Sequence, residues 1–401
     1  MVKGNKVADG MLSRRQILKF GLGGCTIASI GFGFTLAGGT KALAEVVADE
    51  AAKKSAAEHV LSMGLDATLN QFPGRVGTPH MVWIHGAPEF KQAVETLSEG
   101  RIYVEVHDGG ALGGQVELLK KVQQGAVQAG SCSMQNAAQL VPLLNVMDVP
   151  YAIGTQDANF WRLLFSKEFN DIFRAAAEER QLTIVSSHPW RRKIVLSRNV
   201  TKDVRLPDDL SGMKIRVTAS KFEQLAFEIL PTSATPIAWS ETFAALKDGV
   251  MEGLHIAPGS PFDVGMAPVI GQIIDTDWMY NTDSLWVSTR WLNTLDPALK
   301  DIVMEAAFTA QSYVYDTYAA ILNETFGLLP DSPKTAGYPA AGVKMTFLTD
   351  DERAVWRDAL SVDKNPVLQE AIDTYGRDAY DIVVKVASGT SSADPVRWWK
   401  L

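Results

Sequence analysis

Residues 210–253, LSGMKIRVTASKFEQLAFEILPTSATPIAWSETFAALKDGVMEG, constrain this fold more than any other stretch. Met213, Ile215 and Val217 mark a short apolar strand, and a helical pattern follows from Lys221 to Leu230. A second short strand leads to a helix that opens on Ser240-Glu241 and closes on Asp248-Gly249. Strand and helix in alternation build an α/β sheet unit. Arg216 stands at the carboxyl end of the first strand, beside the next helix N-terminus. A guanidinium fork placed there can grip a carboxylate in a cleft. The same position also suits a surface or interdomain salt bridge, which contributes little.

The chain of 401 residues can bury a large core and has the length of two or three domains. Its net charge is −8, although the first 44 residues carry six Lys/Arg against one Asp. The remainder is therefore at −13, which argues against nucleic acid as a partner. A local arginine can still dominate a pocket for an anionic small molecule.

The N-terminus reads as an export signal. Ser13-Arg14-Arg15-Gln16-Ile17-Leu18-Lys19 matches the twin-arginine pattern, and an apolar run follows from Phe20 to Ala37. Ala42-Leu43-Ala44 supplies a small-x-small cleavage site, making Glu45 the first mature residue of a periplasmic protein. An uncleaved anchor is the alternative, since about twenty apolar residues span a bilayer. Cys25 follows the arginines too closely for lipidation. Cys132, the other cysteine, then has no disulfide partner and packs as a small apolar residue.

Further along, 45–64 reads as a helical lead-in and linker, and Leu65–Gln71 as the first strand. A helix is expected over His80–Ser98, a strand over Arg101–His107, a helix over Gln115–Gln124 and a strand over Val127–Cys132. Thr155-Gln156-Asp157 caps a helix expected to reach Arg180. Strands follow at Leu182–Ser187, Lys193–Ser197, Ile273–Thr276 and Leu285–Ser288. Asp296-Pro297 starts a helix of about thirty residues, long enough to lie beside two domains. A strand at Val343–Phe347 and helices at Thr349–Leu360 and Pro366–Ala387 close the chain, and the last dozen residues read as loosely held.

Gly-Met-Lys-Ile-Arg-Val-Thr (212–218) and the run from Pro236 to Gly253 together resemble the DctP-type solute receptors of tripartite ATP-independent periplasmic (TRAP) transporters. Gly109 to Gly125 and Val149-Pro150-Tyr151 resemble further segments of that family, so the likeness covers most of residues 65–385. It implies a two-lobed periplasmic binding protein clamshell of α/β class. Lobe I would be 65–188 and lobe II 189–290, with 291–401 carrying a long helix across both. The expected function is an extracytoplasmic receptor that delivers an organic acid to TRAP membrane subunits.

The resemblance makes Arg216 the substrate-carboxylate arginine. It implies a second arginine upstream, for which Arg192 fits better than Arg191, since strand alternation turns only one of them to the cleft. Trp239 and Phe243 fall where the family's chain approaches the ligand, with core packing as the alternative. Trp190 leads the remaining aromatic candidates, ahead of Trp83 and Phe72. His255 stands where the family carries a polar Glu-Asn pair, so it is a further candidate donor on a less polar floor.

No catalytic serine, zinc or phosphate-loop motif stands in its proper context. His80 and His85 are poorly spaced for one metal. The expectation is therefore no enzyme, no cofactor and no metal, in a monomer or weak dimer. The competing readings are a twin-arginine-exported periplasmic enzyme and a binding protein of an ATP-driven importer.

Overall fold

The computed structural model describes residues 49–67 and 86–401. The export signal, Phe72, His80, Trp83 and His85 lie outside the described residues. The described strands are β1 (His59–Gly64), β2 (Ile102–His107), β3 (Ala129–Ser133), β4 (Leu182–Arg191), β5 (Lys193–Ser197), β6 (Lys214–Val217), β7 (Ser233–Pro236), β8 (Gly253–Ile256), β9 (Ile270–Asp275), β10 (Tyr280–Ser288) and β11 (Lys344–Phe347). They form two sheets, ordered β2-β1-β3-β10-β4 in lobe I and β11-β9-β5-β8-β6-β7 in lobe II.

The chain crosses between lobes at Arg192, which joins β4 to β5, and returns through Thr276–Met279, which joins β9 to β10. β1 runs parallel to β2 and β3, and β6 runs parallel to β7 and β8. β10 is antiparallel to β3, so its first residues lie beside the end of β3. Such strand ends, facing a crevice, are where open α/β sheets bind ligands. Leu61, Met63, Val104 and Phe90 centre one core, and Ile194, Ile215, Val217, Phe227 and Trp356 centre another.

The long helix spans Pro297–Ala320, capped by Asp296, whose side chain accepts from the Leu299 N–H at 2.8 Å. It continues as a wider turn over Ile321–Phe326 and stops at Gly327, with φ 67°. Its first part packs on helix Ala87–Leu97 and on β4 of lobe I. At its far end Phe326 meets Phe262 of lobe II edge-on at 5.6 Å. One helix thus braces both lobes. Gly86 lets helix Ala87–Leu97 come close: a Cβ there, already at φ +66°, would stand 3.1 Å from Ala310.

Several boundaries differ from expectation. β1 is His59–Gly64, inside the segment read as linker, because Leu61 and Met63 already face the core with no exposure. β10 belongs to lobe I although its residues fall in the range assigned to lobe II. Every residue of it is buried between β3 and β4, and it is longer than Leu285–Ser288. The 155–180 helix breaks after Leu164, where Ser166 restarts it by accepting from the Phe169 N–H. Gly376 (φ 145°) divides the closing helix in two. The C-terminus is not loose either: the Arg174 guanidinium lies 3.5 Å from the Trp398 ring, and Arg397 pairs with Glu305.

Candidate functional site

The cleft between the lobes holds a cavity of about 50 Å³. Asp66, Gln115, Ser133, Asn136, Asn281 and Asp283 line it from lobe I. Lobe II contributes Arg216, Thr218, Trp239, Ile256, Ser260 and Asp263, and Arg192 lines it at the crossing.

Arg216 is held by the fold on both sides. Its backbone pairs with Thr235 of β7 and Leu254 of β8, and its Nε donates to the Ile237 carbonyl at 3.0 Å. Ile237 leads directly into helix Trp239–Lys247, so the helix and the arginine are set by one turn. The side chain is 3% exposed, and its Nη1 has no hydrogen-bond partner among the described residues. Burial lowers its pKa to about 10, with Arg192 adding repulsion and Glu223 opposing it. A buried guanidinium with an unused donor calls for an anion.

Arg192 is arranged differently. Its side chain has no exposure, its Nη1 donates to Glu223 at 2.9 Å, and its Nη2 donates to the His255 carbonyl at 2.8 Å. Glu223 also accepts from the Thr218 N–H at 2.9 Å, from the Thr218 hydroxyl and from His255 Nδ1 at 2.8 Å. Burial alone would raise the Glu223 pKa, but Arg192, His255 and Thr218 outweigh it and bring it to about 2. Burial lowers His255 to about 4, with Arg192 and Arg216 adding to the fall while Glu223 resists. The His255–Glu223 contact is therefore a neutral N–H donating to a carboxylate, since an imidazole this acidic is uncharged at pH 7.

Three expected site residues stand elsewhere. His255 does not line the cleft; its ring stacks on Trp278 at 4.3 Å and 4°, where it orients Glu223 from behind. Phe243 is 42% exposed and lies on the solvent face of its helix. It comes one helical turn after Trp239, beyond the cavity that Trp239 lines. Trp190 is buried against Tyr318 at 5.1 Å and lines a separate cavity of about 410 Å³. Cys132 is fully buried, and burial raises its thiol pKa.

The separate cavity is larger, but three of its four cations are already paired with carboxylates. Arg191 pairs with Asp157 at 2.7 Å and Asp277 at 3.1 Å, Lys193 pairs with Asp275 and Asp277, and Arg353 binds both of those aspartates. Its charged walls are a structural clamp on the two crossings. Arg191 and Arg192 thus face different cavities.

The profile of the family described as bacterial extracellular solute-binding protein, family 7 (DctP), matches residues 74–370. The chain belongs to this family. A solute-binding protein of Roseobacter denitrificans is 28% identical over 274 residues, 65% of this chain and 79% of that protein. The C4-dicarboxylate-binding periplasmic protein DctP of Rhodobacter capsulatus is 23% identical across 73% of this chain and 83% of its own. A TRAP periplasmic solute-binding protein from Sulfitobacter, solved with β-D-galacturonate, superposes with a TM-score of 0.67. The two are 20% identical, over 82% of this chain and 98% of that one. This DctP-family chain is a solute-binding receptor and not an enzyme.

Sequence reasoning missed the lobe I wall of the cleft. Asp66 and Asn281 lie outside the family-like motifs, and Gln115 lies inside Gly109–Gly125 without standing out from its neighbours. A signal was present in Asn281-Thr282-Asp283-Ser284, a polar run entering the apolar Leu285-Trp286-Val287. Polar side chains buried in a central strand need partners, and a binding cleft supplies them.

Proposed function

We propose that this protein is an extracytoplasmic receptor that holds an organic acid by its carboxylate at Arg216 and delivers it to TRAP-type membrane subunits. The observation carrying this reading is an Nη1 without a hydrogen-bond partner among the described residues, on a guanidinium that is 3% exposed and lines the interlobe cleft. Charge-assisted hydrogen bonds in such a site contribute roughly 1.5–3 kcal/mol each. Trp239, half-buried at the same cavity, offers a flat wall for the body of the guest. Arg192 also lines the cavity, but Glu223 already engages it, so its role is to brace the cleft.

The twin-arginine segment supports export to the periplasm with cleavage near Ala44. Relatives named for C4-dicarboxylate and solved with galacturonate support an acid as the guest. Ligand is expected to raise the melting temperature by mass action. Titration calorimetry of a stabilising acid should show one site per chain, and Arg216→Ala should weaken binding at least a hundredfold with the fold intact. Unchanged affinity would remove the carboxylate assignment.

A further inference from the structure

We propose that the larger cavity, walled by both crossings, is a second small-molecule site that takes an aromatic or branched-alkyl carboxylic acid. At about 410 Å³ it lies within the roughly 300–1,000 Å³ of pockets that hold small organic molecules. Arg216 does not line it, so the acid held here is separate from the one read for the cleft.

The far end of the long helix and the segment after it supply much of the apolar wall. Leu322, Phe326, Leu328 and Leu329 line the cavity there, and Trp190 of β4 and Pro258 beyond β8 line it from the sheets. Burying the body of a guest against these side chains is the favourable term.

The polar groups left for the guest set its class. Arg191, Lys193 and Arg353 are met by Asp157, Asp275 and Asp277. Asp350, also in the lining, stands in the first turn of helix Asp350–Ala359, where backbone N–H groups answer a carboxylate. Arg357 ends the same helix with no carboxylate partner among the described residues, and its guanidinium lies 5.6 Å from the centre of the Tyr151 ring, another wall of the cavity. A planar guanidinium held over a ring can pair with a carboxylate through parallel hydrogen bonds. Thr276 lines the cavity too. It is 2% exposed, and its hydroxyl has no hydrogen-bond partner among the described residues, so it offers the guest a donor.

A guest here would brace the crossings. Arg191 and Lys193 flank one of them at the cavity wall, and Thr276 and Asp277 belong to the other. Tyr151 and Asp277 hold left-handed backbone, with φ of 60° and 49°, and the Tyr151 N–H donates to the Trp278 carbonyl at 2.9 Å. Backbone strain of this kind gathers at ligand clamps and switch regions. A guest that fits the present arrangement, in which Arg216 is buried, stabilises that arrangement over one bent at the crossings.

The test is titration calorimetry of the purified chain at pH 7 with phenylacetate and isovalerate, against phenylacetamide and phenethylamine as neutral and cationic matches. Because the cleft could also take an acid, every titration is repeated in Arg216→Ala. The acids are expected to bind in that background, with the amide and the amine at least tenfold weaker. Arg357→Gln changes an exposed side chain and Thr276→Val keeps the side-chain shape, so both variants should fold. Each, added to Arg216→Ala, should weaken phenylacetate fivefold or more. Crystals grown with para-bromophenylacetate give a readout independent of the variants, and the bromine is expected between Leu322 and Leu329. Amide exchange over Thr276–Met279 should slow when phenylacetate is added.

The proposal is overturned if neither acid binds Arg216→Ala, if the amide or the amine binds as tightly as the acid, or if both folded variants stay within twofold of their parent. Bromine found only in the cleft, or exchange at the crossing unchanged at saturation, would overturn it as well. Loss of cleft binding in Arg216→Ala with phenylacetate still bound separates the two sites, whichever acid the cleft prefers.

Discussion

Arg192 donates to Glu223 at 2.9 Å, with neither side chain exposed to solvent. Arg192 sits at the crossing from lobe I to lobe II, and both members of the pair act electrostatically on Arg216. Its consequence is electrostatic: without Glu223, two guanidinium groups would share a buried region with no carboxylate hydrogen-bonded to Arg192 among the described residues. Removing one partner of a buried pair costs about 3–5 kcal/mol, because the other charge is stranded. Glu223→Gln should therefore lower the unfolding free energy by roughly that amount. Urea denaturation of wild type and variant measures it, and a change below about 1 kcal/mol, the scale of a surface pair, would contradict the assigned role.

Acid should destabilise the protein in two steps. The folded pKa of His255 is about 4 against an ordinary 6.5, so below pH 6.5 the unfolded chain binds a proton that the folded chain refuses. Stability is lost as pH falls from 6.5 towards 4, by roughly 3 kcal/mol for this group alone. Glu223, lowered from 4.5 to about 2, extends the loss below pH 4.5, because its folded carboxylate resists the proton that the unfolded one accepts. Urea midpoints at pH 7 and pH 4.5 should differ clearly in wild type. The difference should shrink in His255→Gln, which keeps a donor but cannot titrate.

Two carboxylates share Arg191 and should not matter equally. The Asp277 side chain is 4% exposed and serves Arg191, Lys193 and Arg353 together, whereas Asp157 is 26% exposed. Asp277→Asn should cost about 3–5 kcal/mol, the scale for breaking a buried ion network. Asp157→Asn should cost about 1 kcal/mol or less, the scale of a partly solvated pair. Similar losses in the two variants would mean that the crossings are not held by the buried carboxylate.

How far the sequence spoke depended on whether local pattern or distant packing set each element. The β6 region was legible because Met213, Ile215 and Val217 flank Arg216 in strand alternation and a capped helix follows at once. Asp296-Pro297 marked the long helix for the same local reason. β10 was not legible as a lobe I strand, because its neighbours β3 and β4 lie far away in the chain and only the assembled sheet buries Asn281 and Asp283. His255 stayed open between a ligand donor and a hydrogen-bonded core residue because its partner, Glu223, sits on another element. A histidine beside apolar residues looks the same in sequence whether it meets a ligand or orients a buried carboxylate.

The C-terminal segment gives a stability prediction that runs against its polar, irregular sequence. Trp398 is 8% exposed, with the Arg174 guanidinium 3.5 Å from its ring and Asn170 Nδ2 donating to its carbonyl at 3.2 Å. Trp398→Ala should cost about 3–5 kcal/mol, the range for large buried aromatics. A loss below about 0.5 kcal/mol, the scale of an exposed position, would show the segment undocked.

Two aromatic residues on one helix separate the site from its surroundings. Trp239 begins helix Trp239–Lys247 and lines the cleft, while Phe243, one turn later, is 42% exposed, with the Lys247 amine 6.0 Å from its ring. Trp239→Ala should weaken ligand binding tenfold or more, since a wall of the cavity is removed, with little loss of stability because the ring is only half-buried. Phe243→Ser should leave both affinity and melting temperature close to wild type, as an exposed ring makes few contacts to lose. Calorimetry with a stabilising ligand reads both variants. A reversed order of effects would place the ligand against the exposed Phe243 ring and away from the cavity that Trp239 and Arg216 line.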